Sequence, residues 1–165
     1  MKFNRVKRAR LLWLLCTALT AGCATAPQRT HVPLNAVVGK EIAHKAVSLL
    51  GRPYRYGGAG PDAFDCSGLV RFIHDELGIE VPRTAAEQYR AAHPVRMADL
   101  RAGDLLFFRV NGSGISHVAI YTGDGRFVHA PQTGRSVEVR ELDDVYYRPR
   151  LAGAGRTTTA PLRAR

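Results

Sequence analysis

The texture of the chain changes near Pro94, and that change restricts its fold more than any other feature. After it come four short β-rich runs, LLFFRV (105–110), HVAIY (117–121), RFVHA (126–130) and SVEVREL (136–142), separated by the glycine-bearing turns NGSG, TGDG and QTG. Strands this short and this closely spaced join as antiparallel neighbours, because a parallel pair needs a crossover of a dozen or more residues. Before Pro94 the apolar spacing is helical. Ile42, Ala46, Leu49 and Leu50 mark a helix that starts at Asn35 and that Gly51 and Pro53 end. A second helix runs from Asp65 or Cys66 to Leu77, with Gly78 as its stop, and TAAE (84–87) reads as the capping box of a shorter third. Helices first and sheet second is an α+β arrangement, here N-terminal helices packed on a C-terminal antiparallel β-meander.

The 165 residues allow one domain with its own core, and the periodic segments place it at 35–152. Ahead of it, MKFNRVKRAR carries five Lys/Arg and no acid, followed by the apolar run LLWLLCTALTAG (11–22). That run is too short to span a bilayer. A basic start, a short apolar stretch and small residues before a cysteine describe a secretory signal over 1–22. Cys23 looks like the acylated cysteine of a bacterial lipoprotein, with Thr20 where leucine is usual; an uncleaved membrane anchor is the competing reading. Residues 24–34, ATAPQRTHVPL, form with Cys23 a proline-punctuated tether of at most ~40 Å reach. Residues 153–165, with TTTA and three arginines, read as a disordered tail.

Net charge is +10, and removing the five basic residues of 1–22 leaves +5. The excess is spread out and mostly arginine, which suits anionic surroundings such as cell-wall peptides or lipid head groups. No basic helix or aromatic-interleaved patch asks for nucleic acid, and a monomer is expected. Of three cysteines, Cys16 lies in the apolar run and Cys23 carries lipid, which leaves Cys66 as a thiol without a disulfide partner. Outside the cytoplasm such a thiol invites a chemical explanation.

Cys66 shares a helical stripe with Leu69, Val70, Ile73 and Leu77, so one reading is a small buried filler. Its position argues for more. A thiol in the first turn of a helix feels the positive end of the macrodipole, which favours the thiolate. Asp65 as N-cap holds that turn, and Gly57, Gly58 and Gly60 leave room for a substrate backbone. A thiolate nucleophile needs an imidazole partner. His31 falls in the tether, and His44, His74 and His93 read as solvated surface residues. His117 and His129 each lie within an apolar strand, where an unpartnered polar group is costly. A three-residue loop over 122–124 pairs Tyr121 with Gly125 and sets His117 directly opposite His129; a two- or four-residue loop points the rings to opposite faces. Zinc is a competing use of these three residues, but no C-x-x-C or H-x-x-x-H interval supplies a close-spaced ligand pair.

PYRYGGAGPDAFDCSGLVRF, VPRTAAEQY, LRAGDLLFF and SHVAIYTGDGRFVHAP follow one another at distances that resemble the NlpC-type family of bacterial cell-wall cysteine peptidases, over about residues 38–150. The chain is most similar to the lipid-anchored murein endopeptidase lipoproteins of that family. The resemblance implies a papain-like fold and hydrolysis of amide bonds in peptidoglycan stem peptides or their cross-links through a thioester, with no cofactor and no metal. It implies Cys66 as nucleophile, His117 as general base and acid, and His129 as the residue that orients the imidazole. Tyr54 matches a tyrosine near the nucleophile that binds oxyanion or substrate, and Asp65 and Ser67 flank the cysteine as capping or pocket-lining residues. Ala119 replaces a frequent glycine. With Cys23 acylated and Ala24 after it, an outer-membrane lipoprotein facing the periplasm is expected. Two alternatives stay open: a catalytically silent peptidoglycan-binding lipoprotein, and an acyltransferase on the same scaffold.

Overall fold

The computed structural model describes residues 34–158, with side chains from residue 36. The expected signal at 1–22, the lipidation at Cys23, nearly all of the tether and residues 159–165 lie outside the described residues. Three helices precede most of the sheet: α1 (Leu34–Ser48), α2 (Cys66–Asp75) and α3 (Ala85–Ala91). Six strands follow or close the chain: β1 (His93–Val95), β2 (Leu105–Phe108), β3 (His117–Gly123), β4 (Arg126–His129), β5 (Glu138–Glu141) and β6 (Leu151–Arg156).

The helices α2 and α3 start where side chains can satisfy their free N–H groups. The Asp65 carboxylate caps α2 by accepting from the Gly68 N–H at 2.7 Å. Thr84 caps α3, and Glu87 returns the bond to the Thr84 N–H, which completes the expected capping box. Gly78, at φ +70°, takes the left-handed turn that ends the second helical segment.

All strand pairs are antiparallel, in the order β1-β6-β2-β3-β4-β5. The four expected runs form the meander β2 to β5. Leu105 and Phe107 turn to the helices, where they meet Ile42, Ala46, Leu69 and Ile73. Leu106 and Phe108 turn the other way, into a second cluster with Ala119, Phe127, Leu151 and Tyr147. The run LLFF is therefore apolar throughout, because both its faces are covered.

Two strands lie outside the sequence reading, and the larger one corrects it. Residues 153–156 do not begin a disordered tail; with Leu151 and Ala152 they form β6, which runs between β1 and β2. Its sequence LAGAGR has none of the branched or aromatic residues that signal a strand. The smallness has a packing reason. A Cβ on Gly155 would lie 2.7 Å from the Ala92 Cβ and 3.4 Å from the Phe107 ring, so this strand passes too close to its neighbours for a side chain there. Arg156 then fastens the strand end to the buried Asp104 carboxylate, with Nε on Oδ1 at 2.6 Å and Nη2 on Oδ2 at 2.8 Å.

His74 is a second correction. It is fully buried, with Nδ1 on the Val70 carbonyl at 2.8 Å and Nε2 on the Thr157 hydroxyl at 3.1 Å. Burial pushes its pKa down, and the Val70 contact acts against that. The partner eighty-three positions away is what a local reading of the helix lacks. His44 and His93 are exposed, as expected.

The close approach of β6 is testable by two substitutions in one strand. Gly155→Val is expected to cost about 1–3 kcal/mol in urea unfolding. Gly153→Ala, whose Cβ would first meet Tyr89 at 3.7 Å, is expected to cost less than about 0.5 kcal/mol. Equal losses from the two would contradict this packing.

Candidate active site

The Asp65 carboxylate organises one wall of the site. Besides the Gly68 N–H, it accepts from the Gly57 N–H at 3.0 Å, the Ser67 hydroxyl at 3.2 Å and both terminal nitrogens of Arg83 at 3.0 and 2.5 Å. Burial raises the pKa of this acid, but the Arg83 contact and the Gly68 N–H outweigh it and hold the carboxyl below its ordinary range. Ser67 is buried and also accepts from Arg83 at 3.0 Å. Gln88 of α3 donates to the Ser67 carbonyl at 3.0 Å and the Pro82 carbonyl at 2.8 Å, which ties α3 to the first turn of α2. Asp65 thus caps α2 as its N-cap, and the Ser67 hydroxyl lies between the Asp65 carboxylate and Arg83.

The glycine run has a different use from the one expected. A Cβ on Gly58 would lie 2.7 Å from the Ala63 carbonyl oxygen, and one on Gly60 would enter the rings of Phe64 and Phe72. Their space is filled by the chain's own fold. Gly57 alone has open space around it, and it lines the cleft.

The two strand histidines meet, by a route other than the three-residue loop. Asp124 and Gly125, at φ +51° and +71°, make a two-residue turn that pairs Gly123 with Arg126. An extra residue, Thr122, then bulges out of β3, so that Tyr121 faces Phe127 and Ile120 faces Val128. The bulge restores the parity that a two-residue turn alone would have lost. His129 falls opposite Ala119, and His117 lies diagonal to it on the same face, not directly across. The diagonal brings His117 Nε2 to 2.8 Å from His129 Nδ1, with the rings nearly perpendicular at 85°.

Phe108, Phe127 and Tyr147 surround this pair. Tyr147 stacks on His117 with centroids 5.9 Å apart and meets His129 edge-on at 4.9 Å. Burial in that cage pushes both imidazoles down to about 3; each also opposes the charge of a neighbour, His129 in the case of His117, and Arg140 and Arg135 in the case of His129. Both rings are neutral at neutral pH.

Cys66 and His117 line one cleft of about 870 Å³, together with Tyr54, Gly57, Arg83, Arg135, Glu138, Arg140 and Tyr147. That volume is in the range of a ligand site. Cys66 is half-buried, and the Val118 N–H, the amide next to His117, lies near enough to favour its thiolate. The thiol departs from expectation: burial pushes it up, and the N–H groups of Val118, Ser67 and Cys66 itself do not fully offset this. The helix terminus supplies donors, but the apolar floor of the cleft is the larger effect. Tyr54 stands close enough to Cys66 and Asp65 that, after burial, their negative charges raise its phenol. It therefore remains a hydrogen-bond donor.

Five of the six expected residues line the cleft directly, and the sixth, His129, lies behind His117. Arg83, Glu138 and Tyr147 were missed as site residues. Arg83 had a signal in its place just before the capping box; Tyr147 follows the last expected strand, in a stretch without periodicity. Among the described residues, no group of three or more His, Cys, Asp or Glu is gathered as a metal would need.

Comparison with known proteins gives the same picture. Residues 51–156 match the NlpC/P60 family. The chain is 41% identical over 125 residues to the murein DD-endopeptidase MepH of Escherichia coli, covering 73% of this chain and 46% of that protein. It is 38% identical over 133 residues to a gamma-D-glutamyl-L-lysine dipeptidyl-peptidase of Bacillus subtilis, covering 78% of this chain and 45% of that one. It spans about half the length of such curated relatives. The crystal structure of an NlpC/P60 family protein from Bacillus cereus superposes with a TM-score of 0.69 at 36% identity, over 72% of this chain and 40% of that chain. The solved relatives share its α+β papain-like fold, and the chain belongs to the NlpC/P60 family.

Proposed function

We propose that the protein is a peptidoglycan endopeptidase that hydrolyses amide bonds of murein stem peptides or their cross-links, with Cys66 as nucleophile. The observation that carries this is the shared cleft of Cys66 and His117, with His117 held from behind by the buried His129. The names of the relatives, one a murein DD-endopeptidase and one a gamma-D-glutamyl-L-lysine dipeptidyl-peptidase, support the substrate class.

The neutral state of the site sets the order of events. Thiol and imidazole are both uncharged in the free protein, so the thiolate forms as His117 takes the sulfur proton, while the sulfur adds to the amide carbon. The carbonyl electron pair moves to oxygen, which the Cys66 N–H at the first position of α2 and the Tyr54 hydroxyl are placed to receive. When the carbon–nitrogen bond breaks, His117 returns the proton to the leaving amine. Water, deprotonated by the same ring, then cleaves the thioester. Acylation at Cys23, a tether over 24–34 and a place on the outer membrane facing the periplasm complete the proposal; the lipoprotein-like pattern of residues 1–23 supports it.

Protein lacking residues 1–23 is expected to solubilise cross-linked sacculi, and mass spectrometry of the released muropeptides identifies the bond. Cys66→Ala is expected to abolish release, and His117→Ala to slow it about 10²–10⁴-fold. Intact sacculi after treatment with folded protein would refute the enzyme reading. The state of the thiol has its own test. A raised pKa means less thiolate at any given pH, so iodoacetamide should modify Cys66 slowly at pH 6, the rate climbing through a midpoint above the ordinary thiol value of about 8.5. A rate already on its plateau at pH 6 would show a preformed thiolate–imidazolium pair instead.

A further inference from the structure

His129 has one ring nitrogen bonded to His117 and one that is not accounted for. Nε2 is buried and has no hydrogen-bond partner by ordinary geometry. Leaving such a group unpaired in the interior is unfavourable, which asks what stands beside it. A carboxylate oxygen, Glu138 Oε1, lies 3.5 Å from it. Its place is not accidental to the fold. Glu138 pairs directly with His129 across β4 and β5, so the two side chains project from the same face. Arg140 Nε at 2.9 Å from the same Oε1 and Arg135 Nη2 at 2.5 Å from Oε2 hold the carboxylate in place.

We infer that Glu138 is a positioning residue: it accepts the Nε2–H of His129 and thereby fixes the tautomers of both imidazoles. The inference rests on the cysteine-peptidase reading of the site. Two neutral rings joined by one hydrogen bond have two possible directions. With a carboxylate beside His129 Nε2, the proton stays there, and Nδ1 is left as an acceptor. His117 must then donate from Nε2. Its Nδ1 keeps a lone pair for the Cys66 proton, which is the arrangement a general base requires. The opposite direction would put a proton on His117 Nδ1 and disable it. In this chain of contacts Glu138 transmits orientation only, and no proton leaves His129. The other charged or titratable groups around that ring are His117 from β3, Arg135 before β5, Arg140 on β5, and Asp144 and Tyr147 after it.

Nitrogen-15 NMR of histidine-labelled protein reads the tautomers without any need for turnover. The expected spectrum has a protonated Nε2 and a bare Nδ1 on both His117 and His129. In Glu138→Leu the tautomers should become mixed, with kcat on a cross-linked muropeptide dimer falling about 10–100-fold and KM within about two-fold. Glu138→Gln keeps an oxygen beside Nε2, so it should restore both the tautomers and most of kcat; it carries the test should the leucine variant not fold. A protonated Nδ1 on His129 in the unmodified protein, unchanged tautomers in a folded leucine variant, or a rise in KM at constant kcat would each overturn the assignment. Expected tautomers in a protein with no activity on the dimer would instead leave Glu138 in its role and remove the peptidase reading.

Discussion

The bulge at Thr122 is the constraint on which the site depends. Strand side chains alternate with a period of two, so a one-residue change in register moves every side chain of β3 or β4 to the other face. The Asp124–Gly125 turn alone would part His117 from His129. One extra residue returns them to the same face, and the diagonal offset that results is short enough for a 2.8 Å hydrogen bond. Two further features come from β4 itself: Phe127, two residues before His129, lies beneath the rings, and the regular β4–β5 register sets Glu138 beside His129.

The second half of the site is built by a different means. Cys66 is held by polar contacts: a buried carboxylate, Asp65, gathers two backbone N–H groups, a hydroxyl and an arginine around the start of α2. A helix start positioned this way has little freedom, and the sulfur's approach to the Val118 N–H joins the two halves. Desolvation then decides the protonation state. It acts on the thiol and on the imidazoles in opposite directions, and both shifts favour the uncharged form. On the proposed mechanism, charge is therefore made only as the thiol reacts, in a cleft whose donors are already in place.

Much of this was legible in the sequence, and the failures have physical causes. Helix starts were readable because caps are local: Asp65 and Thr84 act within three residues of themselves. The pairing of the histidines was readable as a parity question, but the route was not. Asp-Gly is the strongest signal for a two-residue turn, and a bulge leaves no residue-type signature of its own at Thr122. β6 escaped because its small residues answer to Ala92 and Phe107, which approach from elsewhere in the chain. His74 reads as a surface residue in the sequence because its partner, Thr157, is distant in the chain. Glu138 was hidden in an alternating strand, where an acid on one face is the ordinary expectation for a solvated edge.

Covalent chemistry at Cys66 is the claim on which this account of the cleft converges. Its most direct test is intact-mass and peptide mass spectrometry of protein quenched in acid during turnover of a muropeptide dimer. The account predicts a transient adduct on the peptide that contains Cys66, equal in mass to the acyl half of the cleaved bond. Product accumulating while that peptide stays unmodified at every time point would contradict it.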